Sequence, residues 1–178
     1  MYSKFGQFIN GKWHSSDKKE TYDVFNPANE ELIGKASKAS STDVEKALKS
    51  AEKGFHIWKK FSPWERSFLI RKIADLIRKK NNELAKWMTL ETGKPLAEGL
   101  AEVSASADIF EWNAEETKRI YGQTVQSRFE DTRIIINYEP VGVVAAFSPW
   151  NFPLVLAARK ISTALAAGCS VICKPDVI

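Results

Sequence analysis

Apolar residues recur along this chain at two spacings, and the change of spacing divides it. Val44, Ala47, Leu48, Ala51, Phe55 and Trp58 follow one another at the intervals of a helix face, with Thr42 and Glu45 in front as a capping box. Ser62, Pro63 and Glu65 predict the start of a second helix, with Leu69, Ile73, Leu76 and Ile77 inward. A third carries Leu84, Trp87 and Met88 and stops at Gly93 and Pro95. The fourth, the longest, spans about 96–120 and turns Leu100, Val103, Ala107, Phe110 and Ala114 inward, with Ala101, Ser104 and Ala105 small enough for close packing. Ahead of the helices the pattern is short and strand-like. Phe8-Ile9 and Lys12-Trp13 flank Asn10-Gly11, a type I′ hairpin signal. Tyr22 and Val24 before Asn26-Pro27, and then Leu32, Ile33 and Ala36, predict two further strands of a small β extension.

Beyond Gly122 the period changes again. Thr124 and Val125, a polar stretch, and then Ile134 to Ile136 predict a hairpin projecting over 122–138. Val141 and the run Val143 to Phe147 predict a strand covered on both faces, as in a parallel sheet. Pro153 suits a first helical turn and Gly168 a left-handed residue after the last, so a helix is expected over about 154–167. Val171 to Cys173 form a second strand, stopped by Lys174 and Pro175. The chain is therefore of α/β class: residues 1–121 make a β extension and helices, 122–138 an arm, and 139–178 a βαβ unit. Open α/β sheets bind ligands beyond the carboxyl ends of their strands, where Trp150 and Asn151 stand. Asn151 can cap the helix, or its amide can donate to developing negative charge beside a helix N-terminus.

Composition narrows the function. Hydrophobic residues make up 44% and charged residues 27% of the 178, as in ordinary globular domains. No run approaches the roughly 18 apolar residues of a membrane helix, and a cytoplasmic protein fits. The net charge of +4 is dispersed over Lys18-Lys19, Lys59-Lys60 and Arg78-Lys79-Lys80, without stacking motifs, so a solvated surface is expected rather than a nucleic-acid site. Cys169 and Cys173 fall on one face of a strand too far apart to bridge, and are expected to be core thiols. His14 and His56 have no partner at ligand spacing, so no metal is expected. Glu91-Thr-Gly-Lys-Pro95 follows a helix, lacks the spacing of a phosphate loop, and is read as a helix stop.

Phe147-Ser-Pro-Trp-Asn-Phe-Pro153, Lys160 and Lys174-Pro175 resemble the aldehyde dehydrogenase superfamily. Phe8-Ile-Asn-Gly-Lys-Trp13, Asn26-Pro27, Glu91-Thr-Gly-Lys-Pro95 and Glu139-Pro-Val-Gly142 fall in the same order as in that family. Trp112-Asn-Ala-Glu-Glu116, Arg119-Ile-Tyr-Gly122 and Ala164-Leu-Ala-Ala-Gly-Cys169 are most similar to its succinate semialdehyde dehydrogenase branch.

The resemblance implies an incomplete Rossmann-like cofactor domain and oxidation of a small aldehyde with hydride transfer to NAD or NADP. It implies that Asn151 holds the oxyanion, and that Lys160 either helps arrange the active centre or is a plain helix-surface lysine. Cofactor contacts would come from Phe147, Ser148, Pro149, Trp150 and Asn151, and from Lys174, Pro175 and Asp176. The arm would pair with a neighbouring subunit in a homo-oligomer, a dimer or tetramer, unless it packs within its own chain. Two departures stand out. Val177 replaces the family's usual glutamate, leaving NAD against NADP open. Family members are well over twice this length, and their nucleophilic cysteine and glutamate base match nothing here, so residues 1–178 alone are expected to be inactive. The alternative is a non-catalytic nucleotide-binding or oligomer-interacting module of the same fold.

Overall fold

The protein is described by a computed structural model over residues 6–176. Val177 lies outside the described residues. Strands β1 (Gln7–Ile9) and β2 (Lys12–His14) pair antiparallel around Asn10 and Gly11, whose φ angles of 51° and 74° are those the Asn-Gly turn requires. β3 (Thr21–Phe25) and β4 (Leu32–Ser37) form a second antiparallel pair.

Helix α1 (Ser41–Trp58) is capped by Ser40, with Asp43 closing the box, and not by Thr42 with Glu45. Both pairs satisfy the spacing. Burial decides between them: Asp43, 3% exposed, also accepts from Ser16 Oγ at 3.1 Å, Asp17 N at 3.1 Å and Ser40 N at 3.0 Å. One carboxylate thus caps α1 and ties the β extension to it. Val44 and Leu48 remain exposed. The helix is fixed at its other end by Trp58, whose Nε1 donates to Leu165 O at 2.9 Å.

α2 (Pro63–Lys79) begins as expected, with Ser62 and Glu65 forming the box and proline in the first turn. Its buried line is Ile70 and Ala74, and Leu76 is 57% exposed, so the inward face is rotated from the expected one. α3 (Asn81–Thr92) ends at left-handed Gly93, φ 71°, against which Pro27 of the β extension packs.

α4 (Leu96–Glu116) packs against α2, α3 and α5 (Val155–Ala166), and a 3-10 turn at Thr117–Arg119 replaces its expected last residues. Close packing does not come from Ala101, Ser104 and Ala105, which are exposed. It comes from buried Gly99, where a Cβ would stand 3.1 Å from Ala85 O, and from Ser106. The core joins Ile70 and Ala74 of α2, Phe110 and Ala114 of α4, and Ala158 and Ala166 of α5. A second cluster joins Ala85, Met88 and Val103, with Leu154 against it.

β5 (Gln123–Gln126) and β6 (Arg133–Ile136) form the expected hairpin, and every residue of both strands is exposed. β7 (Val143–Phe147) and β8 (Ser170–Lys174) pair in parallel, joined by α5, with Gly168 left-handed at φ 92°. β7 is not covered on both faces. Val144 and Ala146 point inward while Val143, Ala145 and Phe147 are exposed, so among the described residues one face of this two-stranded sheet is covered. The cysteines divide in the same way: Cys169 is buried ahead of β8, and Cys173 is exposed on it rather than a core thiol.

The Ser40 backbone N–H, with the Asp17 N–H and the Ser40 and Ser16 hydroxyls, outweighs burial and holds the Asp43 carboxyl far below the usual carboxylate range. A depressed folded-state pKa stabilises the fold above the unfolded value of about 3.9 and loses that contribution as pH falls below it. Thermal unfolding followed from pH 7 to 2 should therefore show a melting temperature that drops below about pH 4. Asp43→Asn should melt lower at pH 7 and show a shallower acid slope.

Candidate active site at the carboxyl edge of the parallel strands

Because β7 and β8 run in the same direction, both end at one edge. Phe147 stands opposite Lys174, and Ser148 N donates to Lys174 O at 3.2 Å. The chain then turns through Ser148–Pro153 into α5. Ser148 is 6% exposed, and its hydroxyl lies beside the Cys173 thiol. Around it Phe147, Pro149, Trp150, Asn151, Lys174 and Pro175 are exposed, and Asp176 is half-buried. The expected site residues of the two strand ends are thus brought to one edge.

Asn151 does not cap α5. The cap position is Leu154, with no side-chain cap bond, and the first amides, Leu154 N and Val155 N, donate to Glu102 Oε1 of α4 at 3.0 and 3.1 Å. The Glu102 side chain is 2% exposed, and its other oxygen pairs with Lys94 Nζ. Lys94 Nζ also donates to the backbone carbonyl of Asn151 at 3.2 Å and lies 4.4 Å from the centre of the Phe152 ring. Asn151 is therefore held by its main-chain carbonyl, and the residue is exposed. The expectation that the helix N-terminus favours negative charge beside Asn151 needs correction. Those amides already face the Glu102 carboxylate.

Sequence reading missed both members of this pair. Lys94 lies in the Glu91–Pro95 segment read as a helix stop, a stop that Gly93 provides. Glu102 carried a usable signal: it falls on the inward face of α4 with Gly99, Ser106 and Phe110, where an unpaired charge is not tolerated.

Lys160 is exposed on α5, and its ammonium donates to the carbonyl of Phe147, tying the helix to the end of β7. Cys173 lies nearby. Loss of water around its sulfur pushes the thiol pKa up, opposed by the Ser148 hydroxyl and the Lys160 charge. Among the described residues no cluster of three or more His, Cys, Asp or Glu side chains is placed to hold a metal ion. No helix among them is long and apolar enough to cross a membrane. A groove of about 360 Å³ lined by Lys18, Glu20, Lys38, Ala39, Ser40 and Ser41 shares no residue with this edge.

The fold is that of a known protein family. Residues 13–177 match the aldehyde dehydrogenase family, and the chain belongs to it. It is 42% identical over 168 residues to a glutarate-semialdehyde dehydrogenase of Pseudomonas putida, covering 94% of this chain and 35% of that protein. It is 43% identical over 167 residues to a succinate semialdehyde dehydrogenase of Acinetobacter baylyi, again covering 94% and 35%. The fold matches the crystal structure of an NADP-dependent enzyme of E. coli with TM-score 0.95 and 40% identity, over 99% of this chain and 37% of that one. The chain thus spans about a third of the length of the curated relatives it matches.

A thiol with a raised pKa is a poor nucleophile at neutral pH. Iodoacetamide labelling of Cys173, followed by peptide mass against pH, should rise with a midpoint above the ordinary thiol value of about 8.5. Lys160→Met should move the midpoint higher still, because it removes the cation that favours the thiolate.

Proposed function

We propose that this chain forms the oxyanion and cofactor side of an NAD(P)-dependent aldehyde dehydrogenase whose substrate is a short semialdehyde such as succinate semialdehyde. One observation carries the reading. At the carboxyl edge of two parallel strands, Asn151 is fixed through its carbonyl and stands exposed. An amide carried on a loop anchored in this way can donate to an oxygen on which charge develops. Asn151 is assigned that role. Lys160 is assigned the task of holding Phe147 O and so the start of the loop, which supports the arranging role over that of a plain surface lysine.

The edge fits a dinucleotide. Phe147 and Trp150 offer exposed rings, Ser148 a buried hydroxyl beside Cys173, and Lys174 stands exposed at the end of β8. Lys174 would meet the adenosine ribose hydroxyls or a 2′-phosphate, while Phe147 to Asn151, Pro175 and Asp176 would line the path. When bound, NAD or NADP supplies the hydride acceptor. The nature of the relatives supports a dicarboxylic semialdehyde as substrate.

Residues 1–178 taken alone are proposed not to turn over aldehyde, because neither Cys169 nor Cys173 matches the family's nucleophile and its glutamate base has no match here. The same observation favours a second reading, a nucleotide-binding or subunit-binding module without catalysis. The exposed β5–β6 arm, with Ile135 68% exposed, supports pairing with another copy in a dimer or tetramer.

The test is aldehyde-dependent formation of NADH and NADPH by the product of the complete reading frame. Succinate semialdehyde should be oxidised, and Asn151→Ala should lower kcat by roughly a hundredfold or more. Nucleotide binding without turnover would establish the second reading instead.

A further inference from the structure

We propose that Lys94 and Glu102 are positioning residues for Asn151, a two-residue clamp that sets where its amide points. The inference rests on the oxyanion role given to Asn151 above. The pair is buried, with side chains 10% and 2% exposed, so it is not a surface ion pair of little consequence. It also reaches both ends of one short loop. Lys94 Nζ takes the Asn151 carbonyl at 3.2 Å, and Glu102 Oε1 takes Leu154 N and Val155 N at 3.0 and 3.1 Å. Between those anchors stand only Phe152 and Pro153, and the Phe152 ring is itself covered by the Lys94 ammonium.

The geometry divides the work between the two charges. Glu102 projects from α4, the helix at the centre of the core, so its carboxylate is a fixed point to which α5 is referred. Lys94 follows left-handed Gly93 and neutralises that carboxylate while extending its hold to Asn151. Without Lys94 the carboxylate is left buried beside a backbone carbonyl, and the loop loses the donor that orients the Asn151 peptide. A methylene stem of the same length restores none of this. An arginine restores charge and donors with a different fork, and so recovers part.

The experiment uses the product of the complete reading frame and five variants: Lys94→Met, Lys94→Arg, Glu102→Gln, Asn151→Ala, and Lys94→Met combined with Asn151→Ala. Amide hydrogen exchange over 150–156 is followed by mass spectrometry, together with kcat and KM for aldehyde and cofactor. Lys94→Met should raise exchange in that segment alone and lower kcat about tenfold or more, with both KM values within about twofold, the pattern of an interaction realised in the transition state. Lys94→Arg should recover part of the kcat. Lys94→Met added to Asn151→Ala should cost little further, because the clamp then has no amide to aim.

If Lys94→Met does not fold, Lys94→Arg and Glu102→Gln carry the same comparison of local exchange with kcat. Unchanged exchange and kcat in the clamp variants, with Asn151→Ala still impaired, would overturn the clamp and leave the oxyanion reading intact. Raised exchange with an unimpaired Asn151→Ala would instead overturn the oxyanion reading, and with it any catalytic consequence of the clamp. Losses of kcat that add fully in the double variant would show that the pair acts elsewhere than through Asn151.

Discussion

A carboxylate sealed inside a protein must be compensated where it sits, and that of Glu102 governs how this chain is put together. Removing one partner from a buried ion pair costs on the order of 3–5 kcal/mol, so the groups around it are not free to drift. Here the compensation comes from two segments: Lys94, two residues beyond α3, and the Leu154 and Val155 amides at the start of α5. α4 is thereby joined to the end of α3 and the start of α5 by charge as well as by packing. The loop between β7 and α5 is held as a by-product.

Two other features place that loop at the sheet edge. The parallel pairing of β7 with β8 brings Phe147 and Lys174 level, and Ser148 N closes on the Lys174 carbonyl. From the other side, Lys160 reaches back from α5 to the Phe147 carbonyl. The turn is thus gripped at its start by α5 and at its end by α4, and its exposed residues include Trp150, Asn151 and Phe152. Rigid support beneath a polar tip is what electrostatic stabilisation of a short-lived anion requires. The small core residues serve the same end, since Gly99, Ala85, Ser106 and Ser162 let the helices approach closely enough for a glutamate to span from one to the next.

The elements were largely legible in the chain because local chemistry specified them. Asn10-Gly11, Ser62 with Glu65, Gly93 and Gly168 each serve the turn, cap or stop that their residue types demand. What escaped was anything settled by tertiary contact. Ser40-Ser41-Thr42 offers two capping boxes, and only the burial of Asp43 with Ser16 and Asp17 selects one. The run from Val143 to Phe147 is equally apolar whether one face is covered or two. At the site, motif resemblance and strand order pointed to Phe147–Asn151 and Lys174. The link from Lys94 to Glu102 and on to Asn151 was invisible, because it joins residues 57 positions apart across three segments.

The measurement that bears most directly on this account is a crystal structure of the complete reading-frame product with NADP⁺ bound. The account predicts the dinucleotide lying across the carboxyl edge of β7 and β8, with Lys174 Nζ on the adenosine ribose or its 2′-phosphate and the Asn151 amide facing the reaction space beside the nicotinamide. A dinucleotide seated elsewhere, or an Asn151 side chain turned away into a protein hydrogen bond, would contradict it.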